Sequence, residues 1–291
     1  MPELPEVEVL VRHLDPLLRG ARIRDVNVLR ARVIRPNSAK ELRDTLIGQR
    51  FERVERRAKH LLFHLRGKRG ASPTLLIGHL GMTGRMFLQK RRLPLPRHAA
   101  VTLDLGSDTF VFEDTRYFGR FHLDPRVLAE LGPEPLNDEF SVDGFRSALR
   151  RSSRPIKVKL LDQSVVAGIG NIYASEALFR AGLSPRRSAD RLRREEVARL
   201  HAAVRAVLTE AIDRGSTLPL DFAKGTDGLF YFGDSSGRTS AHNPEQLHVY
   251  DRAGQPCFTC ETPIRQFVQA ARSSYYCPSC QNVRRARGNS S

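Results

Sequence analysis

The sequence predicts an α+β chain in three parts: a leading helix on a β-domain, a helical domain, and a small metal-binding module. Three observations carry that reading. Short apolar runs alternate with polar residues from about residue 21 to about 125. The spacing then becomes helical, and all four cysteines lie between 257 and 280. The 291 residues suffice for two domains with cores of their own.

Val7, Leu10, Val11, Leu14, Leu17 and Leu18 recur at helical spacing, so residues 5–18 are predicted to form an amphipathic helix. Pro5 suits its first turn, Pro16 is expected to end or kink it, and Gly20 follows as a stop. Residues 21 to about 125 read as strands. Val101, Leu103 and Leu105 alternate with polar residues, Gly106-Ser107-Asp108 marks a turn, and Phe110 and Phe112 resume the alternation. Similar runs at Leu61-Leu62-Phe63 and Leu75-Leu76-Ile77 suggest a sandwich or barrel. Between them lies the basic loop Lys90-Arg91-Arg92, followed by the proline-rich LPLPR.

The composition shifts near Gly132-Pro133-Glu134-Pro135. Residues 188–215 are the clearest helix: Val197, Leu200, Val204, Leu208, Ala211 and Ile212 form one stripe, and Gly215 is a natural C-cap. The polar stretch 233–244 is expected to be a mobile loop, and the basic tail from Arg284 to be disordered. The resulting division is 1–132, 133–247, 248–283 and a tail at 284–291.

Lys and Arg number 48 against 32 Asp and Glu, a formal charge of +16. Such a surplus steers association with polyanions. The candidates are nucleic acid and an anionic membrane surface, and nucleic acid is favoured. No apolar run approaches the ~18 residues of a spanning helix. The opening MPELPEVEV lacks the basic and apolar regions of a secretory signal, so a cytoplasmic location is expected.

Cys257-Phe-Thr-Cys260 and Cys277-Pro-Ser-Cys280 are two C-x-x-C pairs with sixteen residues between them. Each pair offers two thiolates from one tight turn, and two such turns close a tetrahedral Zn²⁺ site. Four thiolates leave no open coordination position, so one zinc ion is expected and its role is structural. A reducing compartment disfavours two disulfides. The folded module would carry Arg265 and Arg272 on a rigid tip suited to phosphates.

Three further stretches complete the picture: Pro2-Glu3-Leu4-Pro5-Glu6-Val7, His79-Leu80-Gly81-Met82-Thr83-Gly84, and Gly168-Ile169-Gly170-Asn171-Ile172-Tyr173-Ala174-Ser175-Glu176. With the cysteine module, and in this order, they make the chain resemble the formamidopyrimidine-DNA glycosylase and endonuclease VIII family over nearly its whole length. The resemblance implies an N-terminal β-sandwich, a helical domain with a helix–two-turns–helix motif, a terminal zinc finger, and DNA held between the domains. It implies excision of oxidised bases from duplex DNA followed by cutting of the exposed sugar. A monomer is the default for such a DNA clamp.

The residues supply a chemistry for this. Met1 precedes a small residue, so its removal is expected, which frees the secondary amine of Pro2. An α-amino group has a pKa near about 8, so part of it is neutral and nucleophilic at physiological pH. It can attack C1′, expel the base and leave an iminium that permits elimination. Glu3, beside the amine, can move the protons. Glu6, three residues on, is implied by the resemblance to assist; the plainer alternative is that both acids complement the helix dipole. The resemblance also implies that Lys59 contacts the flipped nucleotide's phosphates. Met82, Arg116 and Phe118, the last two in Asp114-Thr-Arg-Tyr-Phe-Gly119, match the set that fills the gap left by an extruded base. Arg116 would face the orphaned base, cytosine most naturally. His79, Lys157, Asn171 and Arg272 match further DNA contacts.

The segment from about Gly215 to Tyr250, expected over the flipped base, departs from the family pattern: Thr217-Leu-Pro-Leu-Asp221 stands where members often have Thr-Leu-Arg-Asp. That bears on base preference, not on the lyase chemistry. An endonuclease VIII-like enzyme for oxidised pyrimidines is the first rival, opposed by Met82, Arg116 and Phe118. A non-catalytic damaged-DNA-binding relative is the second, opposed by Pro2, Glu3 and Lys59. A structural zinc-ribbon protein explains the cysteines and the charge but not the N-terminus.

Overall fold

The computed structural model describes residues 2–67, 73–215 and 247–282. The expectations for Met1, for 217–221, for the 233–244 loop and for the tail from 284 lie outside the described residues. Two compact units emerge, one over residues 2–129 and one over residues 130–215 and 247–282.

The first unit opens with α1 (Leu4–Leu18). Leu4, Val7, Leu10, Leu14 and Leu18 are fully buried on its inner face, each contributing about 2 kcal/mol of burial. Pro16 was expected to end or kink this helix, yet the helix runs two residues past it. Pro16 sits on the exposed side near the last turn, so its missing N–H leaves one carbonyl near water, while buried Leu18 holds the end in place.

Among its described residues eight strands follow: β1 (Asp25–Val28), β2 (Arg50–Arg57), β3 (His60–Arg66), β4 (Thr74–His79), β5 (Gly84–Lys90), β6 (Ala99–Asp104), β7 (Asp108–Asp114) and β8 (Arg120–His122). They form two antiparallel sheets, ordered β1-β6-β7-β5 and β2-β3-β4-β8. The inner faces meet through aromatic rings. Phe63 and Phe121 of one sheet touch Phe110 of the other, with centroids 5.6 and 5.8 Å away. This is the sandwich that the resemblance implied, with α1 against β2. The 21–125 stretch is not all strand, however. A 3₁₀ turn at Ala31–Ile34 and helix α2 (Ala39–Leu46) interrupt it. Ser38 Oγ accepts the Glu41 N–H at 3.1 Å, Glu41 reaches back to the Ser38 N–H, and Leu42 and Leu46 fill the core. The short helix α3 (Arg126–Ala129) closes the unit.

The second unit holds α4 (Val142–Arg150), α5 (Ile156–Leu160), α6 (Asn171–Arg180) and α7 (Arg194–Asp213). All six residues of the predicted apolar stripe on α7 are buried. The helix begins at Arg194 rather than near 188, because Glu196 accepts the Arg193 N–H at 2.8 Å and fixes the start there. Residues 189–191 form a separate 3₁₀ turn. Between α5 and α6 the chain makes the two turns of a helix–two-turns–helix. Gln163 staples them: its Oε1 accepts the Gly168 N–H and its Nε2 donates to the Ile169 carbonyl, both at 2.9 Å.

Glu176 on α6 is buried and accepts the backbone N–H groups of His248, Val249 and Tyr250 at 2.8–2.9 Å. One carboxylate thus ties the start of the cysteine module to the helical core. Glu176→Ala would strand three donors, and a loss of about 3 kcal/mol or more is expected. Chemical denaturation at neutral pH checks this; a loss under about 1 kcal/mol would show that water satisfies those amides equally well.

Candidate active site, DNA-binding loops and zinc centre

In the first unit, Pro2, Glu3 and Glu6 are all buried at the head of α1. Glu3 is the N-cap, and its N–H donates to Glu6 Oε2 at 2.7 Å. Glu6 therefore folds back over the helix start, holding the backbone beside Pro2. Lys59 follows in the two-residue turn joining β2 to β3, where Arg57 pairs with His60. Its neighbour Ala58 has φ +53°, a left-handed state costing an L-residue about 1–2 kcal/mol. Lys59 is buried despite its charge.

Lys59 adjoins a histidine cluster at the edge of the β2-β3-β4-β8 sheet. His60 and His79 are direct cross-strand partners with ring centroids 4.9 Å apart. The Gly81 N–H donates to His79 Nδ1 at 3.1 Å, so the neutral ring carries its proton on Nε2. Burial, with the neighbouring His60, Lys59, Arg120 and His122, pushes His79 down to about 3. Burial pushes His60 down to about 4; a backbone hydrogen bond at Arg57 opposes it, and the charges of His122, Lys59 and Arg57 add smaller downward pushes. Both rings therefore stay neutral in the folded chain and charge in the unfolded one below about pH 6.5. Unfolded chains then bind more protons, so stability is complete above pH 6.5 and falls as the pH drops towards 3–4. Urea unfolding at pH 7 and pH 5 is expected to show a clear loss at pH 5, reduced by His60→Gln. A flat profile would contradict the burial of these rings.

Met82 and Phe118 are large apolar side chains left nearly half exposed, 44% and 43%. They come from different loops, after β4 and after β7. Arg116 joins them: its guanidinium reaches Met82 Sδ at 3.4 Å and lies 4.7 Å from the Phe118 ring centroid. The structure thus assembles the three side chains into one surface cluster. Asp114, fully buried, holds both loops. It accepts Thr83 Oγ1–H at 2.6 Å, the Arg116 N–H at 3.1 Å and the Gly119 N–H at 2.7 Å. Gly81 (φ +63°) lets the loops touch, since a Cβ there would lie 2.7 Å from the Gly119 nitrogen. Tyr117, between Arg116 and Phe118, has φ +52°. Backbone strain therefore recurs beside Lys59 and inside the Arg116–Phe118 loop, as is common where side chains are aimed for function. Asp114 escaped the sequence reading as a support, although it opens the same motif.

In the second unit, Lys157 is buried and donates to the Ser273 carbonyl and to Ser274 Oγ, both at 2.9 Å. Asn171 Nδ2 donates to the same carbonyl at 2.9 Å. Both were expected as DNA contacts; here they brace a hairpin of β9 (Arg265–Gln269) and β10 (Arg272–Tyr276). Arg272 is exposed, immediately after the tight turn at Ala270-Ala271, both residues being left-handed with φ +48° and +58°.

The four cysteines flank this hairpin. Their sulfurs all lie within 4.8 Å of one another, with Cys260–Cys277 and Cys260–Cys280 at 3.4 Å and Cys257–Cys280 at 3.9 Å. A tetrahedral Zn²⁺ with bonds of about 2.3 Å needs sulfurs roughly 3.8 Å apart. The Thr259 N–H points at Cys257 Sγ (3.5 Å) and the Cys280 N–H at Cys277 Sγ (3.4 Å), as suits anionic ligands. The donor set fits one structural zinc. Among the described residues no helix is long and apolar enough to cross a membrane.

A sandwich led by the buried pair Pro2-Glu3, a helix–two-turns–helix unit and a four-thiolate finger define a DNA glycosylase. Family models match all three parts: the formamidopyrimidine-DNA glycosylase N-terminal domain over residues 1–121, its H2TH domain over 131–220, and the zinc finger found in FPG and IleRS over 254–283. The chain belongs to the formamidopyrimidine-DNA glycosylase family. It is 42% identical over 295 residues to the formamidopyrimidine-DNA glycosylase of Symbiobacterium thermophilum, covering 97% of this chain and 90% of that one. Among solved structures it is similar to Lactococcus lactis Fpg with a Fapy-dG containing DNA (TM-score 0.83, 29% identity, 96% of this chain, 100% of that one). It is equally similar to the same bacterium's Fpg with abasic-site DNA (TM-score 0.83, 30% identity, 96% and 99%).

Proposed function

We propose that this chain removes oxidised purines, 8-oxoguanine and formamidopyrimidines, from duplex DNA and then cleaves the strand by β,δ-elimination through a Schiff base on Pro2. The observation that carries the substrate class is the Met82–Arg116–Phe118 cluster. A base must leave the stack to be excised, and two apolar wedges with an arginine fill the space it vacates. The abasic-site and Fapy-dG complexes of the similar proteins support the reading.

In this scheme the Pro2 nitrogen forms a bond to C1′ while the N-glycosidic bond breaks, and the base departs with the proton that the amine gives up. Glu3 supplies the proton that opens the sugar. The iminium then acidifies the 2′ proton, Glu3 accepts it, and the 3′ phosphate leaves; the 5′ phosphate follows in the second elimination. Glu6 keeps the Glu3 backbone, and so the amine, in register. Lys59 takes the phosphates of the extruded nucleotide. His79, through its Nε2–H, and Arg272 are DNA contacts, while Lys157 and Asn171 act on DNA through the hairpin they brace. Cys257, Cys260, Cys277 and Cys280 hold zinc, which supplies folding energy to the finger and no chemistry to the reaction. The division at 1–132, 133–247 and 248–283, a monomeric state, and a cytoplasmic location at the nucleoid complete the proposal.

Three duplexes test the substrate class: 8-oxoguanine opposite cytosine, 8-oxoguanine opposite adenine, and an oxidised pyrimidine. Fastest excision opposite cytosine is expected, reduced by Arg116→Ala. Preference for the pyrimidine lesion would move the chain to the endonuclease VIII-like reading.

A further inference from the structure

Opposed residues in an antiparallel pair share a face. The register of β9 with β10 therefore puts Arg265, Phe267, Gln269, Arg272, Ser274 and Tyr276 on one side of the finger hairpin. Phe267 and Tyr276 meet edge to face on that side, with centroids 5.6 Å apart. A residue from outside the finger joins them. Arg186, in the loop after α6, lays its guanidinium 4.0 Å from the Phe267 ring centroid and 5.9 Å from that of Tyr276. Arg186 is exposed, and no carboxylate among the described residues pairs with it. Its neighbour Arg187, by contrast, is committed to Glu196 through two hydrogen bonds of 2.7 and 2.9 Å.

Such a stack is a poor use of an arginine needed only for solubility. It desolvates one face of the guanidinium and fixes its plane, yet leaves the in-plane N–H donors available. An immobilised planar fork without a carboxylate is suited to a phosphate, which it can meet bidentately with little further loss of entropy. Arg265 and Arg272 on the same hairpin face add like charges, and among the described residues neither forms an ion pair.

We propose that Arg186 is a phosphate-binding residue: it extends the finger's arginine pair into a three-arginine surface that grips the duplex backbone, with Phe267 as the platform that orients it. The proposal rests on the DNA-repair reading above. It requires no base contact, so its effect is independent of the lesion.

The test is binding of the full-length zinc-loaded protein to a fluorescent duplex carrying a tetrahydrofuran abasic analogue, titrated over a series of KCl concentrations. Arg186→Ala is expected to weaken binding to damaged and undamaged duplex alike and to reduce the slope of log K against log[salt] by about 0.9, one phosphate's worth. Phe267→Leu is expected to reproduce part of the affinity loss, and Arg186→Lys to restore the slope but not the full affinity. Zinc content and thermal midpoint, measured on each variant, must match wild type; should Phe267→Leu lose zinc, the Arg186 pair of variants decides alone. An unchanged slope in Arg186→Ala with zinc retained would overturn the proposal. Borohydride crosslinking of the unaltered protein, run alongside, reports on the repair reading separately: its failure with a reduced Arg186→Ala slope would leave the phosphate site standing and remove the catalysis.

Discussion

Blocking the Pro2 amine, by a retained Met1 or a single added residue, is expected to abolish both base excision and strand cleavage. An amide nitrogen has no available lone pair, so neither C1′ attack nor iminium formation can begin. Intact-mass measurement of the N-terminus, followed by single-turnover assays on the blocked and processed forms, checks this. Glu3→Gln keeps the shape of the buried N-cap but removes the proton donor, and should lower excision by about 10²–10⁴-fold. Glu3 holds the helix start both through its backbone N–H to Glu6 and through its side-chain oxygen, which accepts the Glu6 N–H; a glutamine keeps an Oε1 acceptor there, so the fold should survive that change. Full activity in the blocked form would remove the mechanism, whatever the family.

The second large effect concerns the finger. Cys257→Ser, or a strong chelator, is expected to release the zinc and unfold residues 248–282. The module's own core is little more than Val249, Ile264, Tyr275 and the cysteines. So small a cluster cannot offset the entropy of ordering some thirty residues, and structural zinc sites contribute about 10–16 kcal/mol in comparable fingers. With the finger go Arg265, Arg272 and the surface Arg186 stacks on, so DNA affinity should fall by orders of magnitude at moderate salt. Zinc release followed with a chromogenic indicator, beside duplex binding on the same samples, is the check. Unchanged affinity after complete loss of zinc would contradict a structural role.

The parts legible in the sequence were those written in local periodicity or fixed spacing. The α7 stripe, the β6–β7 hairpin and the thiolate spacing each need only neighbours along the chain. Helix α2 was missed although Ser38 and Glu41 form its capping box, because the apolar signal is reduced to Leu42 and Leu46 and the flanking pattern is strand-like. Pro16 misled because burial of Leu18, a tertiary effect, outweighs one lost hydrogen bond.

The supports of the site were illegible for a related reason. Glu176 accepts N–H groups from residues 248–250, far along the chain, and Asp114 adds the distant Thr83 hydroxyl to the N–H groups of its own loop; nothing in their own segments names those distant partners. Lys157 could be matched only by its position in the family pattern; its bonds to Ser273 and Ser274, over a hundred residues on, carried no signal in its own segment. Arg186 carried no signal at all: its neighbour Phe267 is brought to it only by the folded finger.

Borohydride trapping tests the central claim most directly. The processed protein is incubated with a duplex carrying 8-oxoguanine opposite cytosine, an undamaged duplex and one with an oxidised pyrimidine, each with borohydride to reduce any iminium. A stable crosslink on the 8-oxoguanine duplex, mapped by peptide mass to Pro2, is the expected result. No crosslink on any damaged duplex, with Met1 shown to be absent, would contradict the account and leave a protein that binds damaged DNA without cutting it.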